Sequence, residues 1–203
     1  MKKVVLVAFA FLSFGTVNSQ DKLIKVSPFH FFDGTFNMSL EKSCDADYTV
    51  NLSGGIHLIE DGWNYDSNEK GLTAEVQIRK YVLNFNNSDL KFNGVYVAPF
   101  AKLSYFHLED TYTEWNYEYD DEGDYVSESR DEVSRESSSK SGQAGVVMGV
   151  QYVMSEVILF DFFLGGGVQY AVTAGDDMSN YRSGVRFHTG VMPKIGFNFG
   201  VKL

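Results

Sequence analysis

Residues 193–203 read PKIGFNFGVKL, and the fold turns on them. Ile195, Phe197, Phe199, Val201 and Leu203 are apolar at every second position. Lys194, Gly196, Asn198, Gly200 and Lys202 stand between them. A period of two puts each set on its own face of a β-strand. A soluble sheet turns the apolar face to its core, whereas a membrane barrel turns it to lipid and keeps the polar face for the lumen. The choice between these depends on the rest of the chain.

The opening residues, MKKVVLVAFAFLSFGTVNSQ, have a basic start at Lys2 and Lys3 and an apolar run over residues 4–14. Val17 and Ser19 suit cleavage after Ser19, so residues 1–19 read as a secretory signal peptide and residues 20–203 as one exported domain. No later stretch approaches the ~18 uninterrupted apolar residues of a spanning helix. Cys44 is the single cysteine and has no internal disulfide partner, so packing or sheet closure must hold the fold. With 17 Phe, 12 Tyr and 19 Gly but 3 Pro, the composition suits strands. A formal net charge of −10 is the wrong sign for a nucleic-acid surface.

Alternation marks eight segments: 23–31, 35–42, 48–58, 72–82, 94–106, 141–154, 158–172 and 193–203. In the fourth, Leu72, Ala74, Val76 and Ile78 oppose Thr73, Glu75, Gln77 and Arg79. In the seventh, Phe160, Phe162, Leu164 and Val168 oppose Asp161, Gly165, Gly167 and Gln169. Asp33-Gly34 is a hairpin turn signal between the first two. Shorter turns join segments 2–3, 4–5 and 6–7, and longer polar loops join 3–4, 5–6 and 7–8, with the first hairpin as the exception. That asymmetry is the habit of outer-membrane barrels, with short turns on the periplasmic side.

The faces point the same way. One is bulky and almost uncharged, as lipid requires. The other mixes Gly145, Gly149, Gly165, Gly167, Gly196 and Gly200 with Glu41, Glu75, Arg79, Lys102, Asp161 and Lys194. Rows of glycine do not suit a solvent face. They suit a narrow barrel interior, which holds small or mutually paired polar side chains. The expected fold is an all-β, eight-stranded antiparallel up-and-down transmembrane β-barrel, its last strand closing on its first so that no edge remains.

The signal peptide, the stretches FNMSLEK and IRKYVLNFNNSDLKFNGVYVAPF, and the terminal IGFNFGVKL together resemble the small outer-membrane barrels of the OmpA/OmpX-like type in Gram-negative bacteria. The resemblance runs over the whole mature chain and rests on loose patterns. It implies a location in the outer membrane and outer-membrane lipid around the barrel. It also implies that Ile195, Phe197, Phe199, Val201 and Leu203 are the assembly signal read by the barrel-assembly machinery. That signal usually ends in an aromatic residue, and here it ends in Leu203. No catalytic residue carries over from the family.

Three features bear on chemistry. Glu41, Glu75 and Asp161 balance Arg79, Lys102 and Lys194 on the lumen face, which reads as a neutralised polar core or as the gate of a narrow channel. Residues 108–140 read as a long acidic extracellular loop, with twelve acids against three bases and a net charge of −9. Trp115, Tyr117, Tyr119 and Tyr125 interleave with those acids, as anchors for a surface partner or as a hairpin continuing strands 5 and 6. Cations are the other expected ligand there. The acids around Gly123 are spaced somewhat like a calcium loop, but Ser129 stands where the bidentate Glu belongs. His30, His57, His107 and His188 have no metal-ligand spacing, and no hydrolase or acyltransferase motif is evident. The expected role is structural or adhesive, with no cofactor, no metal and no enzymatic activity. A small channel, and a soluble lipocalin-like barrel around an apolar ligand, are the alternatives.

Overall fold

The computed structural model describes residues 22–44, 47–61, 66–85, 92–119, 125–154, 157–175 and 188–203. Residues 1–19, read as a signal peptide, lie outside that set. Eight antiparallel strands follow one another around a closed barrel in chain order. They are β1 (Lys22–Val26), β2 (Thr35–Ser43), β3 (Tyr48–Asp61), β4 (Asp66–Asn84), β5 (Gly94–Tyr119), β6 (Tyr125–Met154), β7 (Ile158–Gly175) and β8 (Gly190–Lys202). Closure comes from β1 against β8, over the four pairs Leu23↔Lys202 to Val26↔Phe199.

Two segments differ from the sequence reading. The first was expected to run from 23 to 31, but β1 ends at Val26. Pro28 supplies no backbone N–H for a ladder and opens a 3-10 turn, Pro28–Asp33, which Gly34 ends at φ 72°. Within the expected loop 108–140, the described residues 108–119 and 125–140 are strand. β5 and β6 continue through them and pair from Leu108↔Ser137 to Tyr119↔Tyr125, with one register shift between Glu118 and Tyr119. β4 accompanies β5 only as far as Thr111, and β7 accompanies β6 only as far as Ser137. Beyond those points, among the described residues, β5 and β6 pair only with each other as a two-stranded ribbon, and its eight-residue β5 arm spans roughly 27 Å. Both faces of the ribbon meet water, so its strands lack the apolar stripe by which the others are read.

Within the barrel the two faces are inverted relative to a soluble protein. Ile56, Leu72, Ile78, Leu103, Met148, Leu164, Val168 and Ile195 point outward and are exposed. Glu41, Arg79, Gln151, Asp161 and Lys25 point inward and are fully buried. On the outer face of β4, Lys70 and Lys80 bracket Leu72, Ala74, Val76 and Ile78. Ten residues at ~3.4 Å each, tilted by about 40°, rise roughly 26 Å, the height of a bilayer-spanning apolar band. Lys80 lies over the ring of Tyr48, 5.5 Å from its centroid, as a long basic side chain does where an apolar surface meets water.

Candidate functional site

The lumen fills in layers, counted from the end that carries the termini. A floor of Leu23, Phe92, Val153 and Leu159 is apolar and buried.

 Leu159 and Val153 face each other across β6 and β7 in that floor. Directly above it lies the charge layer. Arg79 Nη1 donates to Glu41 Oε2 at 3.0 Å, to Asp161 Oδ2 at 2.9 Å and to Gln151 Oε1 at 3.0 Å. Its Nε donates to Gln77 Oε1 at 2.9 Å, and its guanidinium lies over the Tyr96 ring, 4.3 Å from the centroid. Lys25 Nζ donates to Glu41, to Gln151 Oε1 at 2.9 Å and to Asp161 Oδ2 at 3.1 Å. Tyr81 Oη donates to Glu41 Oε1 at 3.0 Å, and Thr49 Oγ1 donates to the same oxygen. Tyr96 Oη donates to Asp161 Oδ1 at 2.7 Å, and Asn198 Nδ2 donates to Oδ2 at 3.0 Å.

Every strand contributes to this layer: Lys25 from β1, Glu41 from β2, Thr49 from β3, Arg79 from β4, Tyr96 from β5, Gln151 from β6, Asp161 from β7 and Asn198 from β8. Two carboxylates meet two cations, so the layer is neutral. Burying such charges is tolerable only with this density of hydrogen bonds. Glycines make the room. A Cβ at Gly149 would stand 2.4 Å from the Tyr96 ring, and one at Gly200 would stand 2.8 Å from Lys25.

The next layer is aromatic, with Phe100 and Phe163 beside Tyr96, Ala98 and Val147. Gly196 leaves space for Phe163, whose ring a Cβ there would meet at 2.3 Å. Above it Lys194 reaches across the lumen to Glu75 Oε2 at 2.6 Å, and Gln77 Nε2 donates to Glu75 Oε1 at 2.7 Å. Lys102 pairs in register with Glu75. Towards the far end His57 is fully buried, with Nδ1 2.8 Å from Thr35 Oγ1, Nε2 3.6 Å from Glu69 and its ring edge-on to Phe106.

The six lumen charges read from the sequence therefore fall in two places. Glu41, Arg79 and Asp161 share the charge layer, and Glu75, Lys102 and Lys194 lie beyond the aromatic one. Sequence reading missed Lys25. Its parity with Leu23, opposite Ile24 and Val26, was the available signal, but five residues are too few to show alternation. On β8, Ile195, Phe199 and Val201 face outward, and Leu203 is half-exposed with its N–H donated to the Lys22 carbonyl. Trp115 and Tyr117 stand exposed on the ribbon, and Arg130 stacks over Trp115 at 3.9 Å. Tyr119 and Tyr125 pair through their backbones, and their side chains lie outside the described set.

No protein-family profile matches the chain, and no curated protein matches it either. Among solved structures, it is similar to the N-terminal β-barrel domain of Pseudomonas aeruginosa OprF, at 14% identity and a TM-score of 0.34, over 90% of this chain and 98% of that one. It is also similar to Acinetobacter baumannii CarO, at 9% identity and a TM-score of 0.45, over 92% and 98% of the two chains. The chain's own pairing establishes the architecture: by strand order, register and the sense of its two faces, it has the eight-stranded up-and-down fold of the small outer-membrane barrels.

Proposed function

We propose that the protein is an integral outer-membrane barrel with a structural and surface-contact role, closed to ion flow and without enzymatic activity. The observation that carries this reading is the inversion of faces. On β4 an uncharged outer stretch about 26 Å tall, bordered by Lys70 and Lys80, backs a lumen in which the charged Glu41, Arg79 and Asp161 are fully buried. A soluble lipocalin-like barrel would need the reverse, with an apolar pocket inside. In this reading the termini face the periplasm, where the barrel-assembly machinery would meet β8. The ribbon of β5 and β6 then stands outside the cell.

The ribbon suits contact with a basic surface. Its acids carry nearly all of the chain's net charge, and Trp115 and Tyr117 offer aromatic area among them. Cations are the second class of ligand that such charge would attract. The lumen supports closure, because a water path would have to part ion pairs and then an apolar floor. Planar-bilayer recording on the refolded chain tests this. Insertion with long silent intervals is the expected result, and frequent long-lived ion-selective openings would replace it with the channel reading.

A further inference from the structure

The outward face of the sheet is apolar through its middle, but its border far from the termini differs from one side of the barrel to the other. Leu72, Tyr105, Lys140 and Val172 stand level on β4, β5, β6 and β7. One step further from the termini stand Lys70, His107, Ser138 and Ala174. Two lysines thus flank Tyr105 on the outside of the wall. Around them Leu58, Leu72, Leu103, Tyr170 and Val172 are exposed.

Across the barrel the same border is aromatic. Phe36 of β2 stands level with Leu72 through Ile56. Phe31 of the 3-10 turn stacks on Phe36 at 5.9 Å, and Phe29 and Phe32 of that turn are exposed. Rings of this kind suit the depth at which hydrocarbon gives way to head groups. They are enough to hold a barrel at that depth, so two ammonium groups on the opposite side add something else.

Lys70 and Lys140 are both exposed, and among the described residues neither makes a hydrogen bond or an ion pair. The Tyr105 hydroxyl between them is likewise without a partner among those residues. Carboxylates stand higher on the same face: Glu109, 3.2 Å from His107 Nε2, and Glu136, opposite Glu109 in register. The Cα atoms of the two lysines are two strand spacings apart and one step out of level, about 12 Å in all. Two four-carbon stems can lie along the apolar wall and converge above Tyr105.

We propose that Lys70, Tyr105 and Lys140 form a binding site for the phosphate of an anionic lipid. One phosphate would accept from both ammonium groups and from the phenol, with its acyl chains laid along Leu72, Leu103 and Val172. Two cations without a counter-ion select an anion, and the apolar wall below them selects one that carries chains. With the termini facing the periplasm, this lipid belongs to the outer leaflet. The inference rests on the membrane reading above and names a partner for one part of its wall.

The test is native mass spectrometry of the mature chain refolded in non-ionic micelles, titrated with phosphatidic acid or with phosphatidylcholine of the same chains. Folding of each variant is checked by the shift in gel mobility on boiling. The expected result is one phosphatidic acid retained per barrel in preference to phosphatidylcholine. Lys70→Gln and Lys140→Gln should each weaken its retention about fivefold, and the two together about 25-fold. Lys70→Arg with Lys140→Arg should keep it, because Arg also donates to phosphate. Equal retention of the two lipids, or full retention in the double Gln variant, would overturn the proposal. An equal loss in Lys80→Gln, at the opposite border, would overturn it in favour of unspecific charge. Displacement by an equal concentration of inorganic phosphate would overturn it in favour of a site for anions from water. Failure of the unmutated chain to insert into phosphatidylcholine vesicles would refute the membrane reading and the site with it, whereas insertion without lipid preference refutes the site alone.

Discussion

Replacing Arg79 by Met tests the charge layer most directly. Methionine keeps much of the volume but removes the cation that touches Glu41, Asp161, Gln151 and Gln77 at once. Lys25 then faces two carboxylates alone, and the fully buried layer carries a net negative charge. Breaking a buried pair by removing one partner costs about 3–5 kcal/mol. Two lost charge-assisted bonds at about 1.5–3 kcal/mol each lead to the same range. Urea unfolding from phospholipid vesicles, followed by the far-ultraviolet circular dichroism of the sheet, measures the loss. The decisive comparison adds Asp161→Asn to the Met variant, which restores neutrality between Lys25 and Glu41. The double variant should be more stable than Arg79→Met alone, although it carries one more substitution. A single-variant loss below about 1 kcal/mol, or a double variant worse than the sum, would refute the layer as the barrel's electrostatic centre.

Val76→Arg, near the middle of the outer band on β4, should destabilise the inserted barrel by about 2–4 kcal/mol in the same unfolding assay, whereas Val133→Arg on the ribbon should change it by under about 1 kcal/mol. Gly149→Ala should cost about 1–3 kcal/mol by pushing on the Tyr96 ring, and the cost should disappear in a Tyr96→Ala background when the two are run as a double-mutant cycle. Replacing residues 112–133 by Asn-Gly joins positions that already pair, Thr111 and Ser134. It should leave the gel-mobility shift of the barrel unchanged while abolishing retention of the protein's vesicles on a polylysine surface.

Much of this architecture is legible in the chain because lipid and lumen impose opposite chemistry on neighbouring residues. Leu72 to Arg79 shows it plainly: four apolar residues outside, Thr73, Glu75, Gln77 and Arg79 inside. The alternation fails where its physical cause is missing. Along the ribbon both faces are wet, so acids occupy both, and only the run of Tyr112, Thr113, Trp115, Tyr117 and Tyr119 hints at strand propensity. At β1 the element is too short, and Pro28 rather than Asp33-Gly34 sets where it stops. Which charges meet is less legible still. Lys25 and Asp161 are far apart in sequence and join only through the curvature of the closed sheet.

The contribution of one side chain from every strand to the charge layer has a consequence for the order of assembly. A sheet lacking β1 would present Glu41 and Asp161 to Arg79 alone, and one lacking β8 would leave Asp161 without Asn198. The first is electrically unbalanced and the second leaves a buried carboxylate short of a donor, at a depth where lipid offers no replacement. Intermediates of that kind are disfavoured in the bilayer, so insertion should proceed as one concerted event. Lys25 sits beside the short β1–β8 seam, held there by only four residue pairs. Its ammonium reaching Asp161 of β7 is thus a chemical latch that engages only once the ring is complete.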